Sequence, residues 1–362
     1  MASAPRAGVE GNLALADAPV AALDLGTNNC RLLVVRPKGP HFDVMDAFSR
    51  TVHLGEGVEK SNRLSDAAQT RTLKALQICA SKIQHHRVAD TRIVATEACR
   101  RALNGDAFAE RVRAETGLKL DIITPEEEAR LAVAGCAPLV SSEAEQLLVF
   151  DIGGGSTELI WVDMASTPAD RRQSLIRAIA PTGTIESSAV RKAKARISDW
   201  ISVPIGVTTL HDKFSHIESD AERFALMSWH FEQRLAPFGP YDVEDTDDLT
   251  KNLQIIGVSG TATTFGAMHL GLKRYDRSQV DGLWLQGRAA GGVADEILAL
   301  GPEGRSKHPA IGGKRADLVV SGAAILMTIL RIWQVPRMRI ADRGLREGML
   351  YGLIRARRAR LS

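Results

Sequence analysis

Residues 147–162 read LLVFDIGGGSTELIWV: an apolar run through Asp151 and Ile152, a turn of Gly153, Gly154, Gly155 and Ser156, and a second apolar run from Thr157. Short apolar runs punctuated by glycines are the pattern of two buried strands joined by a tight turn. The same grammar occurs earlier, in VAALDLGTNNCRLLVV at residues 20–35, where a strand to Leu25 meets the turn Gly26-Thr27-Asn28-Asn29 and a second strand leaves from Arg31 to Val35. Asp24 and Asp151 each stand at the end of the first strand. The chain therefore reads as two copies of one unit.

Outward from the first copy, the pattern predicts a strand at Phe42 to Phe48, a helix from Ser65 to His86, a strand Arg92 to Ala95, a helix Asp106 to Glu115 and a strand Leu120 to Ile123. After the second copy it predicts a strand Gln254 to Val258, the turn Ser259-Gly260-Thr261 with a helix from Ala262, a helix Asp317 to Trp333, a strand Arg337 to Ile340 and a helix Leu345 to Arg358. Strands alternating with helices define an α/β class. The expected division is a mobile tail at 1–19, a first domain at 20–142, and a second at 143–362 with a helical insertion and a C-terminal helix. Residues Asp163 to Asp199 show little pattern, and the acidic run Asp242 to Asp248 reads as a solvated loop.

Composition agrees with two domains, since the chain has 362 residues, 44% hydrophobic and 25% charged, and a domain takes roughly 150 residues. The greasiest stretch, Leu318 to Trp333, is interrupted by Ser321, Thr328 and Arg331, so no membrane-spanning segment is expected. The N-terminus lacks the basic start and apolar core of a secretion signal. Cys30, Cys79, Cys99 and Cys136 form no CxxC pair, which argues against a disulfide framework or structural zinc and for a reducing cytoplasm. A net charge of +3 is too small to mark a nucleic-acid binder. The basic clusters at 191–196, 312–315 and 355–360 read as solvated faces, or as steering elements if the substrate is a polyanion.

Two glycine- and hydroxyl-rich turns after strands, with a third at Gly260-Thr261 opening a helix, suit phosphate, because unobstructed backbone N–H groups converge on an anion there. The candidate phosphate-binding residues are Gly26, Thr27, Asn28, Gly153, Gly154, Gly155, Ser156, Gly260 and Thr261. Neither GxxxxGK[ST] nor a strand-borne GxGxxG is present, which excludes a P-loop and a dinucleotide fingerprint. Asp24 and Asp151 offer hard oxygens for Mg²⁺ held against substrate phosphates. Ser156 and Glu158 share a strand face and could point into a cleft between the copies. In TPEEEARL (124–131), Thr124 reads as an N-cap, Pro125 as the first helical residue and Glu127 as the end of a capping box. Glu126 reads as a solvated first-turn acid and Glu128, from spacing alone, as a surface glutamate.

Five motifs nevertheless resemble one family, that of the exopolyphosphatases and guanosine pentaphosphate phosphatases: AALDLGTNNCRLLV (21–34), VATEACRRA (94–102), EEEARLAVAG (126–135), VFDIGGGSTELI (149–160) and ADRGLREGML (341–350). Weaker matches are LGEG (54–57), SVPIGVTTLHDKF (202–214), GVSGTATTF (257–265) and RADLVVSGAAIL (315–326). The resemblance runs in order from about Val20 to the C-terminus, and DIGGGSTEL together with EEARL is specific to this family.

The resemblance implies two duplicated RNase H-like domains of the actin, Hsp70 and sugar kinase superfamily with an active-site cleft between them. It implies release of terminal phosphate from inorganic polyphosphate, guanosine pentaphosphate or both, with Mg²⁺ or Mn²⁺ as cofactor. Glu128 would be the base that activates water, Glu158 would bind metal or assist it, Asp24 and Asp151 would organise the metal, and Arg100 would neutralise phosphoryl oxygens. Arg101 is the alternative to Arg100. Related proteins suggest a homodimer; neither a specific nucleic acid nor a membrane is an expected partner. An ATP-dependent kinase or ATPase on the same scaffold, or a polyphosphate or alarmone sensor without turnover, are the competing readings. The sequence departs from the family at Thr27 and Asn29 of the first turn, in the longer stretch 163–202, and in ending at Ser362, where longer members continue into a helical domain that helps hold long polyphosphate. The resemblance therefore does not extend to processive degradation of long chains.

Overall fold

The computed structural model describes residues 17–39, 41–180, 188–194, 196–241 and 252–361. Residues 1–16 of the expected tail (1–19) and the acidic run at 242–248 lie outside these. By contacts the chain divides into unit 1, Met1–Thr124 with Ala180–Ser187 and Arg346–Ser362, and unit 2, Pro125–Ile179 with Ser188–Leu345. Residues 125–135, N-terminal to the expected division at 142, fall in unit 2, and the C-terminal helix from Arg346 onward falls in unit 1.

Unit 1 holds β1 (Val20–Leu25), β2 (Asn29–Lys38), β3 (His41–Thr51), β4 (Asp90–Ala95) and β5 (Asp121–Ile122), in the order β3-β2-β1-β4-β5. β1, β2 and β3 form an antiparallel meander, and β4 and β5 continue parallel to β1. Helices α1 (Asp66–His85), α2 (Glu97–Arg101) and α3 (Gly105–Thr116) cover it. The Ser65 side chain accepts the Ala68 N–H at 3.2 Å to start α1, satisfying one of the orphan donors of a helix N-terminus. Leu73, Leu76 and Cys79, at helical spacing, then bury against Leu23, Leu25 and Leu32.

Unit 2 repeats the design. Its strands are β6 (Gln146–Ile152), β7 (Thr157–Asp163), β8 (Ile197–Val203), β9 (Leu253–Val258), β10 (Trp284–Gln286) and β11 (Arg337–Ala341), in the order β10-β11-β9-β6-β7-β8. Read from β8 to β11, this is the unit 1 order again with the same parallel and antiparallel joins, and β10 is an added antiparallel edge. Both sheets thus have the RNase H-like topology. The central strands are apolar throughout because both sheet faces are covered. Along β6, Leu148 and Phe150 enter one core with Phe231, Phe265, Leu326 and Trp333, while Leu147 and Val149 enter another with Ala129, Val133 and Ile176. The helices that supply these layers are α4 (Pro125–Gly135), α5 (Arg172–Ala178), α6 (Val207–Phe214), α7 (Asp220–Glu232), α8 (Ser259–His269), α9 (Gly287–Ala299) and α10 (Val319–Ile332); the chain closes with α11 (Leu345–Leu361). The buried indoles keep their N–H groups satisfied, Trp161 on Gln146 Oε1 at 2.8 Å and Trp333 on the Pro240 carbonyl at 3.1 Å.

The patternless stretch 163–199 contains α5, a helix at Ser188–Lys194 and the start of β8. The strand escaped notice because β8 is an edge, where burial is partial and the apolar alternation weak. The basic run at the C-terminus is helical and partly tied down in unit 1: Arg357 pairs with Asp90, Arg360 reaches the same carboxylate at 3.1 Å, and Arg358 donates to the Gly39 carbonyl at 2.5 Å.

Phe150 is wholly buried, so Phe150→Ala is expected to cost about 3–5 kcal/mol in urea unfolding; a loss under about 1 kcal/mol would show that this layer is not close-packed.

Candidate active site

The two strand–turn–strand segments superpose residue for residue in their bonding. Asp24 lies opposite Arg31 in the β1–β2 register, and Asp151 lies opposite Glu158 in β6–β7. Gly26 N–H donates to the Asn29 carbonyl at 2.9 Å, and Gly153 N–H donates to the Ser156 carbonyl at the same distance. Gly26 and Gly153, expected to present their N–H groups to phosphate, instead use them to close the turns. The turn N–H groups left without an acceptor among the described residues are those of Thr27, Gly154, Gly155 and Ser156. Gly155 is buried, and a buried backbone donor without a partner is a place for an anion to complete the bonding.

The backs of both turns are held by a loop that the motifs did not reveal as functional. In unit 1, Val52 and His53 N–H groups donate to the Asn28 carbonyl and Gly55 N–H donates to that of Thr27 at 3.0 Å. In unit 2, Val207 N–H donates to the Gly153 carbonyl at 3.0 Å and Thr208 N–H to that of Gly154 at 2.9 Å. Both loops approach closely: a Cβ on Gly55 would meet the Thr27 methyl Cγ2 at 2.4 Å, and one on Gly206 would meet the backbone oxygen of Gly153 at 2.5 Å, where only glycine fits. Thr209 Oγ1 braces the second loop by accepting the Gly206 N–H at 2.7 Å, and Thr157 Oγ1 donates to the Ile205 carbonyl at 2.7 Å. The sequence signals were the glycines of LGEG and SVPIG; their contacts are long-range and invisible in one dimension.

The carboxylates fall in two places. In unit 2, Glu158 is 4% exposed and accepts the Ser202 hydroxyl at 2.9 Å. Directly opposed strand residues project from the same face, so Asp151 and Glu158 are neighbours. In unit 1, Asp24 is half-buried, and its Oδ1 is enclosed with no hydrogen-bond partner among the described residues. Loss of hydration raises its pKa, against the opposing pull of Arg31 and Arg346 and with the help of Glu347. Glu347, itself buried in the GLREG motif, was not singled out from sequence. Hard oxygen donors of this kind, one of them buried and unsatisfied, fit Mg²⁺. Among the described residues no three His, Cys, Asp or Glu side chains form a ready-made metal cluster.

Arg100 on α2 has its guanidinium fixed by Glu97 Oε2, 2.5 Å from Nη2, and by the Ile123 carbonyl, 2.7 Å from Nη1. Arg101 pairs with Glu59 at 2.8 Å. Glu128 lies on α4, which begins at Pro125 as the sequence required, and it is half-buried. α4 packs through Ala129 and Val133 on the unit 2 sheet that carries Asp151 and Glu158. Glu126 is half-buried as well and pairs with Lys194 at 3.2 Å. The third turn starts α8: Ser259, at φ 82°, donates its hydroxyl to the Ile152 carbonyl at 2.7 Å, and Gly260 faces the Arg315 guanidinium. Thr261 lies against Gly322 of α10.

A duplicated RNase H-like α/β protein with paired, glycine-built strand–turn–strand segments is the class that these features define. Residues 33–356 match the Ppx/GppA phosphatase family. The crystal structure of the Aquifex aeolicus member of that family is 26% identical, with 92% of this chain and 96% of that one covered and a TM-score of 0.70. An exopolyphosphatase-like protein is 26% identical over 95% of this chain and 99% of its own, at TM-score 0.75. An exopolyphosphatase from Cytophaga hutchinsonii shares the fold at 22% identity and TM-score 0.75, over 93% of this chain and 98% of its own. The chain belongs to the Ppx/GppA phosphatase family, and its activity is that of a phosphohydrolase. No helix among the described residues is long and apolar enough to cross a membrane.

Two substitutions probe the geometry. Gly206→Ala is expected to cost about 1–3 kcal/mol of stability and to weaken pyrophosphate binding measured by calorimetry; unchanged affinity would show that the turn does not need the loop behind it. Asp24 has a raised pKa in the folded state, so its ionised form opposes folding, and the penalty grows as pH rises above the ordinary carboxylate value. Asp24→Asn should therefore raise the melting temperature of chelated protein by about 2–4 °C at pH 8 and by less at pH 4; a lower melting temperature at pH 8 would contradict the burial argument.

Proposed function

We propose that the protein is a Mg²⁺-dependent hydrolase that releases terminal orthophosphate from inorganic polyphosphate, guanosine pentaphosphate or both. The observation that carries this reading is the second turn, where the unused N–H groups of Gly154 and Gly155 stand beside the opposed carboxylates of Asp151 and Glu158. Donors favour phosphate oxygens there, and the acids favour the cation that accompanies them.

In phosphoryl transfer the protein contributes position and charge stabilisation more than covalent chemistry. Glu128 takes a proton from water as its oxygen attacks the terminal phosphorus, and the bond to the bridging oxygen breaks, leaving the shortened chain or nucleotide. The Arg100 guanidinium, its plane set by Glu97, neutralises the phosphoryl oxygens. Each unit offers its own donors to phosphate, Thr27 and Asn28 in the first turn and Gly154, Gly155 and Ser156 in the second. In unit 2 the opposed Asp151 and Glu158 would hold Mg²⁺, with Asp24 the acid offered by unit 1, and the bound ion would neutralise the substrate's charge. Ser202 keeps the Glu158 carboxylate oriented.

Orthophosphate release from long-chain polyphosphate, guanosine pentaphosphate and ATP, each with Mg²⁺ and with chelator, tests the reading. Release from either of the first two, lost with chelator and lowered by about 10²–10⁴ in Glu128→Gln, is the expected result. Release from ATP alone, or near-normal turnover by the variant, would overturn it.

A further inference from the structure

The C-terminal residue of α4 makes a backbone contact that lies outside the site described above. A Cβ placed on Gly135 would stand 2.0 Å from the Gly344 carbonyl oxygen and 2.6 Å from its carbon. Both neighbours are backbone, so no rotamer change can make room. Gly344 is less confined, because a Cβ there would meet only a side-chain methyl, Val258 Cγ1, at 2.8 Å. Next along the chain, Cys136 Sγ lies 3.9 Å from the Arg343 carbonyl. The exit of β11 is thus pressed directly on the end of α4, with glycine on both sides.

Gly135 follows Glu128 by seven residues. That is two helical turns, about 10 Å along the axis, after which an α-helix returns to within about 20° of the same direction. Gly135 and Glu128 therefore share a face of α4, while Ala129, Val133 and Cys136 bury on a different side. In an ordinary helix Gly to Ala is stabilising. Here it would lift or rotate the helix on the face that carries Glu128. Buried packing holds the rest of α4, including Ala132 at 3% and Ala134 at 0% exposure, so the displacement is passed along a rigid element rather than absorbed.

We infer that Gly135 and Gly344 are positioning residues that set the place of Glu128 by backbone-to-backbone contact. This rests on Glu128 being the base of the proposed reaction. It also accounts for why two motifs far apart in sequence, EEEARLAVAG and ADRGLREG, each carry a glycine at this point.

The test is a double-mutant cycle read as kcat and KM for orthophosphate release from the better of the two proposed substrates. Gly135→Ala should lower kcat by about tenfold to a hundredfold, the cost of misplacing a catalytic group by about 1 Å, with KM within about twofold. In a Glu128→Gln background, adding Gly135→Ala should change the residual rate by less than about twofold, because a helix without its base has nothing left to misplace. Should Gly135→Ala fail to fold, Gly344→Ala presses only on a valine methyl and should give the same pattern with a smaller loss. Equal losses in both backgrounds, or a loss carried by KM, would overturn the inference while leaving the base in place. Near-normal turnover by Glu128→Gln alone would overturn the base and the inference together.

Discussion

The structure depends on how a glycine-rich backbone turn can be held open, with some of its N–H groups unspent, without collapsing. A glycine turn is flexible, and ordering it costs conformational entropy. Here the cost is met from behind, where the loops after β3 and β8 donate to the carbonyls of Thr27, Asn28, Gly153 and Gly154. With those carbonyls captured and the first glycine N–H of each turn spent on closure, the remaining donors have fixed directions. Preorganised donors of this kind stabilise developing charge without reorganising as it develops.

The duplication uses one scaffold for two electrostatic tasks. The register that sets Asp24 against Arg31 in unit 1 sets Asp151 against Glu158 in unit 2. A single exchange, arginine for glutamate at the same place, turns one copy into a balanced pair and the other into a doubly acidic one. Two adjacent carboxylates repel each other and gain from a cation. Unit 2 therefore has the stronger intrinsic call for a metal, and unit 1 keeps its acid in check with arginines.

Much of this was legible in one dimension. The copies announced themselves through DLGTNN and DIGGGS, and the strand and helix limits around them agree with the structure to within a few residues, because apolar period and turn glycines are local signals. Pro125 marked the start of α4 for the same reason. What could not be read were contacts between residues far apart: Gly206 against Gly153, Gly135 against Gly344, and Glu347 near Asp24. A glycine's need is set by what lies opposite it, and sequence does not show the opposite wall. The role proposed for Glu128 rests on family resemblance, since nothing in its spacing separates it from Glu126, which is paired to Lys194.

The central claim, that each of the two turns binds phosphate, is tested most directly by following backbone amide resonances while tripolyphosphate and Mg²⁺ are titrated into the Glu128→Gln protein. The account predicts that the amides of Thr27, Gly154 and Gly155 shift first and together, while those of Gly26 and Gly153, spent within the turns, move less. Shifts confined to other segments, with the turn amides unmoved at saturation, would contradict it.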